Sequence, residues 1–363
     1  MKHLMVVMGA RPNFVKVARL GRVADANGRL RVSFVHTGQQ TDRRMTDVFM
    51  EQFGIRVDHH LSIPAGTQLG QLSSVLAGLD RLFAQQRPDG VMVVGDVTST
   101  LGGALAANKA SLPLFHLEAG LRSGDRAMPE ELNRILTDRI TDHFFVTEAA
   151  GRSNLEREGV AADRIHFVGN TMIDTLVAFD ERIRNDDVLD RMNWGIGGHV
   201  LITLHRPATV DDPLRADKAI DMIEAVAARR RAILPLHPRT ERNLERSGHI
   251  DRLRSIKGLH LAPPLDYFAF QRVLMTASAV LTDSGGVQEE TTFRGVPCLT
   301  LRDNTERPVT IRIGTNQLAA LDKDVVNAHL DAIFAGVRKE ARIPELWEGH
   351  ATERVVDILE RVL

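Results

Sequence analysis

Short apolar runs alternate with longer amphipathic stretches along most of this chain, and that rhythm constrains the fold more than any other feature. The runs at 4–8, 32–36, 90–94, 114–117 and 144–146 are rich in Val, Leu, Met and Phe, as strands are. The stretches at 13–25, 69–86, 100–110 and 130–141 have helical content between them. Such alternation builds a parallel sheet covered on both faces. The rhythm fades across 169–198, ending in Trp194-Gly195-Ile196-Gly197-Gly198, and restarts with strands at 199–204, 232–236, 280–282 and 298–301. The expectation is an α/β chain of two doubly wound Rossmann-like domains, residues 1–169 and 170–350, facing a central cleft. A last amphipathic helix at 351–363 is expected to return to the first domain.

Composition narrows the class. The 363 residues are 43% hydrophobic and 26% charged, with a formal net charge of −1. That leaves room for two domains of about 150–200 residues each. The near-equal 46 basic and 47 acidic residues speak against a nucleic-acid partner, which demands a basic face, though not against one small anion. Cys298 is the single cysteine, so no disulfide framework exists and a reducing, cytoplasmic setting is expected. The apolar run after His3 stops at Arg11, short of a signal peptide's core, and no run reaches the ~18 apolar residues of a membrane span. No membrane partner is expected.

Polar residues gather where the strands end, and in open parallel sheets ligands bind outside those carboxyl ends. GARPNFVK (9–16) stands where a dinucleotide fold carries G-x-G-x-x-G, but it has one glycine only. A nicotinamide cofactor is thereby disfavoured. Arg11 and Lys16 put two cations beside a helix start, which suits an anionic ligand; solvated surface cations are the plainer alternative. In VVGDVTST (93–100), Asp96 reads first as a cap for the following helix. In HLEAGLR (116–122), Glu118 closes an apolar strand, an expensive place for a carboxylate without partner or purpose. In PEELNR (129–134), Glu130 and Arg134 stand four apart on one helical face, which a surface ion pair explains. Asp96, Glu118 and Glu130 nonetheless make a plausible acid–base group. The second domain supplies cations: TLHRP (203–207) and LHPRT (236–240) end strands with His205-Arg206 and with His237 and Arg239. Neither H-E-x-x-H nor a Cys/His cluster occurs, so no metal is expected.

TDSGGVQEE (282–290) leads from a strand through Ser284, Gly285 and Gly286 into a helix. The glycines allow close approach to the backbone, and the free N–H groups of a new helix favour a phosphate. Glu290, four residues past Gly286, lies one turn deeper on the same face, where a carboxylate accepts two hydrogen bonds from vicinal hydroxyls. Phosphate at the tip and ribose below it describe a nucleoside diphosphate.

Together these segments, from GARPNFVK to RDNTERPVTIRIGTN (302–316), resemble the non-hydrolysing UDP-N-acetylglucosamine 2-epimerases, a family of GT-B fold. The resemblance implies inversion of C2 in UDP-GlcNAc to give UDP-ManNAc, without nicotinamide or metal, in a homodimer. By motif, Arg11 and Lys16 match the family's cations in the first loop. Asp96, Glu118 and Glu130 match its acidic catalytic residues, Arg134 the arginine closing PEELNR, and His205 its required histidine. Ser284, Gly286 and Glu290 match its diphosphate- and ribose-binding positions, Arg307 the arginine of TERP, and Phe270 in LDYFAF its aromatic residue near uracil. The chain departs from the common pattern at Gln40 and Thr41, across 63–68, where the family holds a second, activating UDP-GlcNAc, and across 207–210. A hydrolysing epimerase, an epimerase of a related UDP-2-acetamido sugar, a GT-B glycosyltransferase and a non-catalytic sensor are the alternatives.

Overall fold

The structure, a computed structural model, describes residues 1–363 apart from 40–42, 65, 195–196, 207–208, 210–211 and 237, and the side chains of 43–46 and 238–239. Two parallel sheets organise it. The first holds β1 (Lys2–Met8), β2 (Leu30–His36), β3 (His59–His60), β4 (Gly90–Val94), β5 (Leu114–Leu117), β6 (His143–Val146) and β7 (Ile165–Phe167), in the order β3-β2-β1-β4-β5-β6-β7. The second holds β8 (Val200–Thr203), β9 (Ala232–Pro235), β10 (Leu259–Ala262), β11 (Ala279–Thr282), β12 (Cys298–Thr300) and β13 (Asn316–Leu318), in the order β10-β9-β8-β11-β12-β13. Both share the doubly wound order, with the reversal between β1 and β4 in one sheet and between β8 and β11 in the other. Registers are direct: Val6 lies opposite Phe34 and Met92, and Leu201 opposite Val280 and Ile233.

Each sheet is buried on both faces, so its strands read as continuous apolar runs rather than alternating ones. On β8, Val200 and Ile202 pack with Ala216, Ile220 and Ile223 of helix Pro213–Arg229. Leu201, pointing the opposite way, packs with Ala269 and Val273 of helix Tyr267–Met275. In the first sheet, Met5 and Val7 meet Val75 and Leu79 of helix Gln68–Gln85 and Ala104 and Ala107 of helix Thr98–Lys109.

The contacts divide the chain at 178/179 rather than at 169/170: one unit is Met1–Ala178 with Glu345–Leu363, the other Phe179–Pro344. The shift has a physical reason. Helix Thr171–Ala178 belongs to the first unit, where Thr175 Oγ1 donates to the Val15 carbonyl at 2.7 Å. Asp174, fully buried, accepts from Ala351 N at 3.1 Å, Thr352 N at 2.5 Å and Thr352 Oγ1 at 2.6 Å, capping the last helix, Ala351–Val362, from across the fold. Trp347, 1% exposed, anchors the returning segment by donating from Nε1 to Thr147 O at 2.9 Å. The single helix expected over 13–25 is two, Arg11–Val17 and Leu20–Asn27. The first is buried from Asn13 to Val17 whereas the second buries only Leu20 and Ala24, and a break at Ala18 and Arg19 lets each meet its own neighbours. The sequence reading does not anticipate β3, β7, β10 and β13, the strands at the sheet edges. They are two to four residues long, too short to carry a periodic signal.

Candidate functional site

The first unit's candidate residues sit on the loops after β1, β4 and β5, around the switch point. Asn13 ties two of these loops together: its Oδ1 accepts from Gly9 N at 3.0 Å and Ala10 N at 3.1 Å, and its Nδ2 donates to Val94 O at 3.0 Å. Helix Arg11–Val17 then carries Lys16 inward, where its Nζ meets Glu118 Oε1 at 2.7 Å, the two side chains 7% and 3% exposed. Lys16 is therefore a buried, paired cation rather than a surface charge. Glu118 lies at φ 72°, in the left-handed region, as β5 ends; its N–H donates to Phe145 O at 3.0 Å. For a residue with a long side chain that conformation is uncommon and costs of order 1 kcal/mol or more. Arg11, on the same helix, places its guanidinium over the Phe49 ring at 5.5 Å.

Two readings are corrected. Asp96 does not cap helix Thr98–Lys109, which has no side-chain cap. Its carboxylate instead receives Arg134 Nη1 at 2.5 Å, and its carbonyl accepts from Asn133 Nδ2 at 2.8 Å. Nor does Arg134 pair with Glu130. Arg134, 2% exposed, donates from Nη2 to Glu131 Oε2 at 2.7 Å, three residues back, while Glu130 is exposed on the first turn of helix Pro129–Ile140. Glu131 is turned inward because its carboxylate also accepts from Ser123 N at 2.9 Å and Gly124 N at 3.0 Å. Burial pushes its carboxyl up, but the Ser123 amide, Arg134 and the Gly124 amide outweigh that and hold it below the usual range. Two ion pairs, Lys16 with Glu118 and Arg134 with Asp96, thus stand beside the turn at Gly95.

In the second unit Asp283 fills the equivalent stapling position. Fully buried past the end of β11, it accepts from His205 N and Arg206 N at 3.1 and 3.0 Å, and its Oδ1 lies 3.1 Å from His205 Nδ1. Burial raises its carboxyl, and His205 with these amides more than reverses that, leaving it ionised. Facing a carboxylate, which can only accept, His205 Nδ1 donates to Asp283. Ser284 opens helix Gly285–Arg294 without a side-chain cap, so the leading amides at Gly285 and Gly286 have no intrahelical partners. A Cβ at Gly285 would lie 2.5 Å from Glu306 Oε1, a carboxylate that Arg302 holds at 3.0 Å, so a larger residue here has to displace that side chain. Gln288 joins the turn to the 305–307 loop: Nε2 donates to Ser284 O at 3.2 Å, and Oε1 accepts from Thr305 Oγ1 at 2.7 Å and Asn316 Nδ2 at 3.0 Å. Arg307, 4% exposed, is directed to Glu289, its Nε 3.2 Å from Oε2. Phe270 is half-buried on helix Tyr267–Met275 against the apolar cluster of that face.

Glu290 is 6% exposed, and burial pushes its carboxyl up to about 8, with Gln271 and Arg294 opposing and Glu289 adding to the rise. Around neutral pH it keeps its proton, so it offers one donor and one acceptor rather than the two acceptors expected of a carboxylate. His237, Gln40, Thr41 and the stretch 207–208 and 210 lie outside the described residues, as do the side chain of Arg239 and residue 65 of the 63–68 stretch.

A family model for UDP-N-acetylglucosamine 2-epimerase matches residues 22–360. The chain belongs to the UDP-N-acetylglucosamine 2-epimerase family. It is 35% identical over 362 residues to UDP-N-acetylglucosamine 2-epimerase of Methanocaldococcus jannaschii, covering 98% of each chain. It is also 36% identical over 364 residues to UDP-2,3-diacetamido-2,3-dideoxy-D-glucuronate 2-epimerase of Pseudomonas aeruginosa, covering 99% of each. The crystal structure of the M. jannaschii UDP-GlcNAc 2-epimerase in complex with UDP-GlcNAc and UDP superposes with a TM-score of 0.92 at 33% identity, covering 99% of each chain.

Within this epimerase-family chain, motif reading overlooks the residues that hold the candidates in place. Asp283, Glu131, Gln288, Glu306 and the pair His116 and Asp138 are buried polar groups. Their signal is present in the sequence: a charge inside an apolar run is costly unless paired. Partners of these groups lie 8, 17, 22 and 78 positions away, and spacing along the chain does not give that.

Proposed function

We propose that this chain interconverts UDP-GlcNAc and UDP-ManNAc by inverting C2 and keeps the sugar linked to its nucleotide in the product. C2 has no neighbouring carbonyl, so loss of its proton must be coupled to departure of UDP from C1. A base takes the C2 proton, the C–H electron pair becomes the C1–C2 double bond of a 2-acetamidoglucal, and the C1–O pair leaves with UDP. UDP then re-adds at C1 while an acid returns a proton to the opposite face of C2. The observation that carries this reading is Glu118, a carboxylate held in a left-handed conformation and paired at 2.7 Å with the buried Lys16. Backbone strain of this kind persists where function requires it.

Asp96, Glu118 and Glu130 form the acid–base set. Arg134 holds Asp96 and Lys16 holds Glu118 by ion pairs. The amides that open helix Gly285–Arg294, with Ser284, His205 and Arg11, stabilise the departing diphosphate. Glu290 meets the ribose, Phe270 lies by the uracil, and Arg307 braces the turn through Glu289. The motif resemblance supports a homodimer that needs neither metal nor nicotinamide, and the single cysteine and balanced charge support a cytoplasmic setting without a nucleic-acid partner. UDP-GlcNAc incubated in D₂O and followed by NMR tests the reading. Deuterium at C2 in both epimers, with no accumulation of free ManNAc, is expected; an unlabelled C2 refutes epimerisation, and free ManNAc plus UDP assigns the hydrolysing route. The Pseudomonas relative, alike over 99% of both chains, supports a second reading in which the substrate is a UDP-2-acetamido uronic acid. A higher kcat/KM for UDP-2,3-diacetamido-2,3-dideoxy-D-glucuronate than for UDP-GlcNAc would select it.

A further inference from the structure

β5 is an apolar strand with one anomaly. His116, flanked by Phe115 and Leu117, is completely buried. Core packing alone would favour an apolar residue here, because a buried imidazole must find partners on both nitrogens. It does: Nδ1 lies 2.6 Å from Asp138 Oδ1 and Nε2 lies 2.8 Å from Gly95 O. Burial raises the Asp138 carboxyl, but His116 and then Arg122 hold it low, so it is ionised. Gly95 O can only accept, so Nε2 donates to it, while Nδ1 is held by Asp138.

Each partner governs a turn that carries a candidate. Gly95 sits at φ 65°, and its carbonyl shares a peptide plane with the amide of Asp96. The next peptide plane is fixed by Asn133, which donates to Asp96 O at 2.8 Å. The backbone of Asp96 is thus clamped on both sides, and without His116 the Gly95 peptide would be free to rotate. Asp138 Oδ2 takes Gly120 N at 3.1 Å and Arg122 Nη2 at 2.7 Å. Gly120, at φ 78°, ends the turn that begins with Glu118 at φ 72°.

We propose that His116 and Asp138 are positioning residues for the acid–base group: His116 fixes the turn of Asp96 through Gly95 O, and Asp138 fixes the turn of Glu118 through Gly120 N, without touching substrate. This rests on the epimerase reading and adds to it residues outside the acid–base set. Misplacement of a catalytic group by about 1 Å costs on the order of 100-fold in rate.

Two substitutions separate the two bonds. The Gln amide nitrogen reaches the place of Nε2, and that of Asn the place of Nδ1. His116→Gln keeps the Gly95 bond and is expected to stay within about 10-fold of wild-type kcat, whereas His116→Asn loses it and should fall by about 100-fold. KM for UDP-GlcNAc should stay within about 3-fold in both, since the nucleotide contacts lie elsewhere in the chain. Calorimetric UDP affinity should be unchanged and the two melting temperatures alike. Equal kcat losses, or losses that follow melting temperature, overturn the proposal. Wild type run in D₂O separates the two levels: no C2 label refutes the epimerase reading and this proposal with it, while normal labelling with equal Gln and Asn variants refutes the proposal alone. If neither variant folds, ¹⁵N NMR of the wild-type ring decides: a hydrogen on Nε2 bonded to Gly95 O supports it, and a bare Nε2 overturns it.

Discussion

Adjacent glutamates in PEELNR show how one residue's environment separates two roles. Glu130 is exposed, and Glu131 is buried with Arg134 and the amides of Ser123 and Gly124. Glu131→Ala removes the inward partner of a buried guanidinium and should cost about 3 kcal/mol of stability, read as a lowered thermal midpoint. Glu130→Gln should leave the midpoint within the ~0.5 kcal/mol of an ordinary surface change, while epimerisation falls by about 100-fold. A Glu130→Gln enzyme of normal turnover would remove Glu130 from the acid–base set. Glu118 is legible in the sequence as a carboxylate in the wrong place; its partner, 102 positions away, is not.

At the scale of elements, the chain uses polar side chains to join pieces that are distant in sequence. Asn13 and Asp283 staple the two switch points in opposite directions, one from the helix after β1 and the other from the loop after β11. Asp174 does the same for the C-terminal helix, satisfying its first amides from helix Thr171–Ala178. Asp174→Ala should lower stability by about 1–2 kcal/mol, and hydrogen exchange should quicken across 351–362 before it does elsewhere. Uniform quickening over the whole first unit would mean that the helix docks through apolar contacts alone, Val355, Val356 and Leu359 among them. The central strands are readable because they carry fully buried runs of four or five residues. The edge strands are not, because segments so short and part-exposed take strand form only when a neighbour offers hydrogen bonds.

For the whole molecule, buried carboxyls and histidines set how stability follows pH. Glu290 has its pKa raised to about 8 from 4.5. The folded chain therefore keeps a proton that the unfolded chain gives up above pH 4.5, and the contribution of Glu290 to stability should fall as pH rises from there to about 8 and level off beyond. Glu131, Asp138 and Asp283 lie on the other side, each held below the usual carboxylate range, so their contribution is present at neutral pH and is lost as pH falls through their folded values. Burial also lowers His36, His143, His166 and His199 from 6.5; the unfolded chain takes up their protons first as pH falls, so melting temperature should peak close to neutral pH rather than in acid. In Glu290→Gln the decline towards pH ~8 should flatten, and an unaltered slope would show that Glu290 is ionised in the fold.

The sequence alone determined the α/β class, the two-sheet plan and the family, because apolar periodicity and strand-end motifs are local properties of the chain. Tertiary structure decided the rest. It set where the first unit ends, which glutamate of PEELNR turns inward, that Asp96 answers Arg134 instead of capping a helix, and that His116 spans two turns. Each of these is a choice among partners, and a buried charge settles on the one that folding brings within about 3 Å.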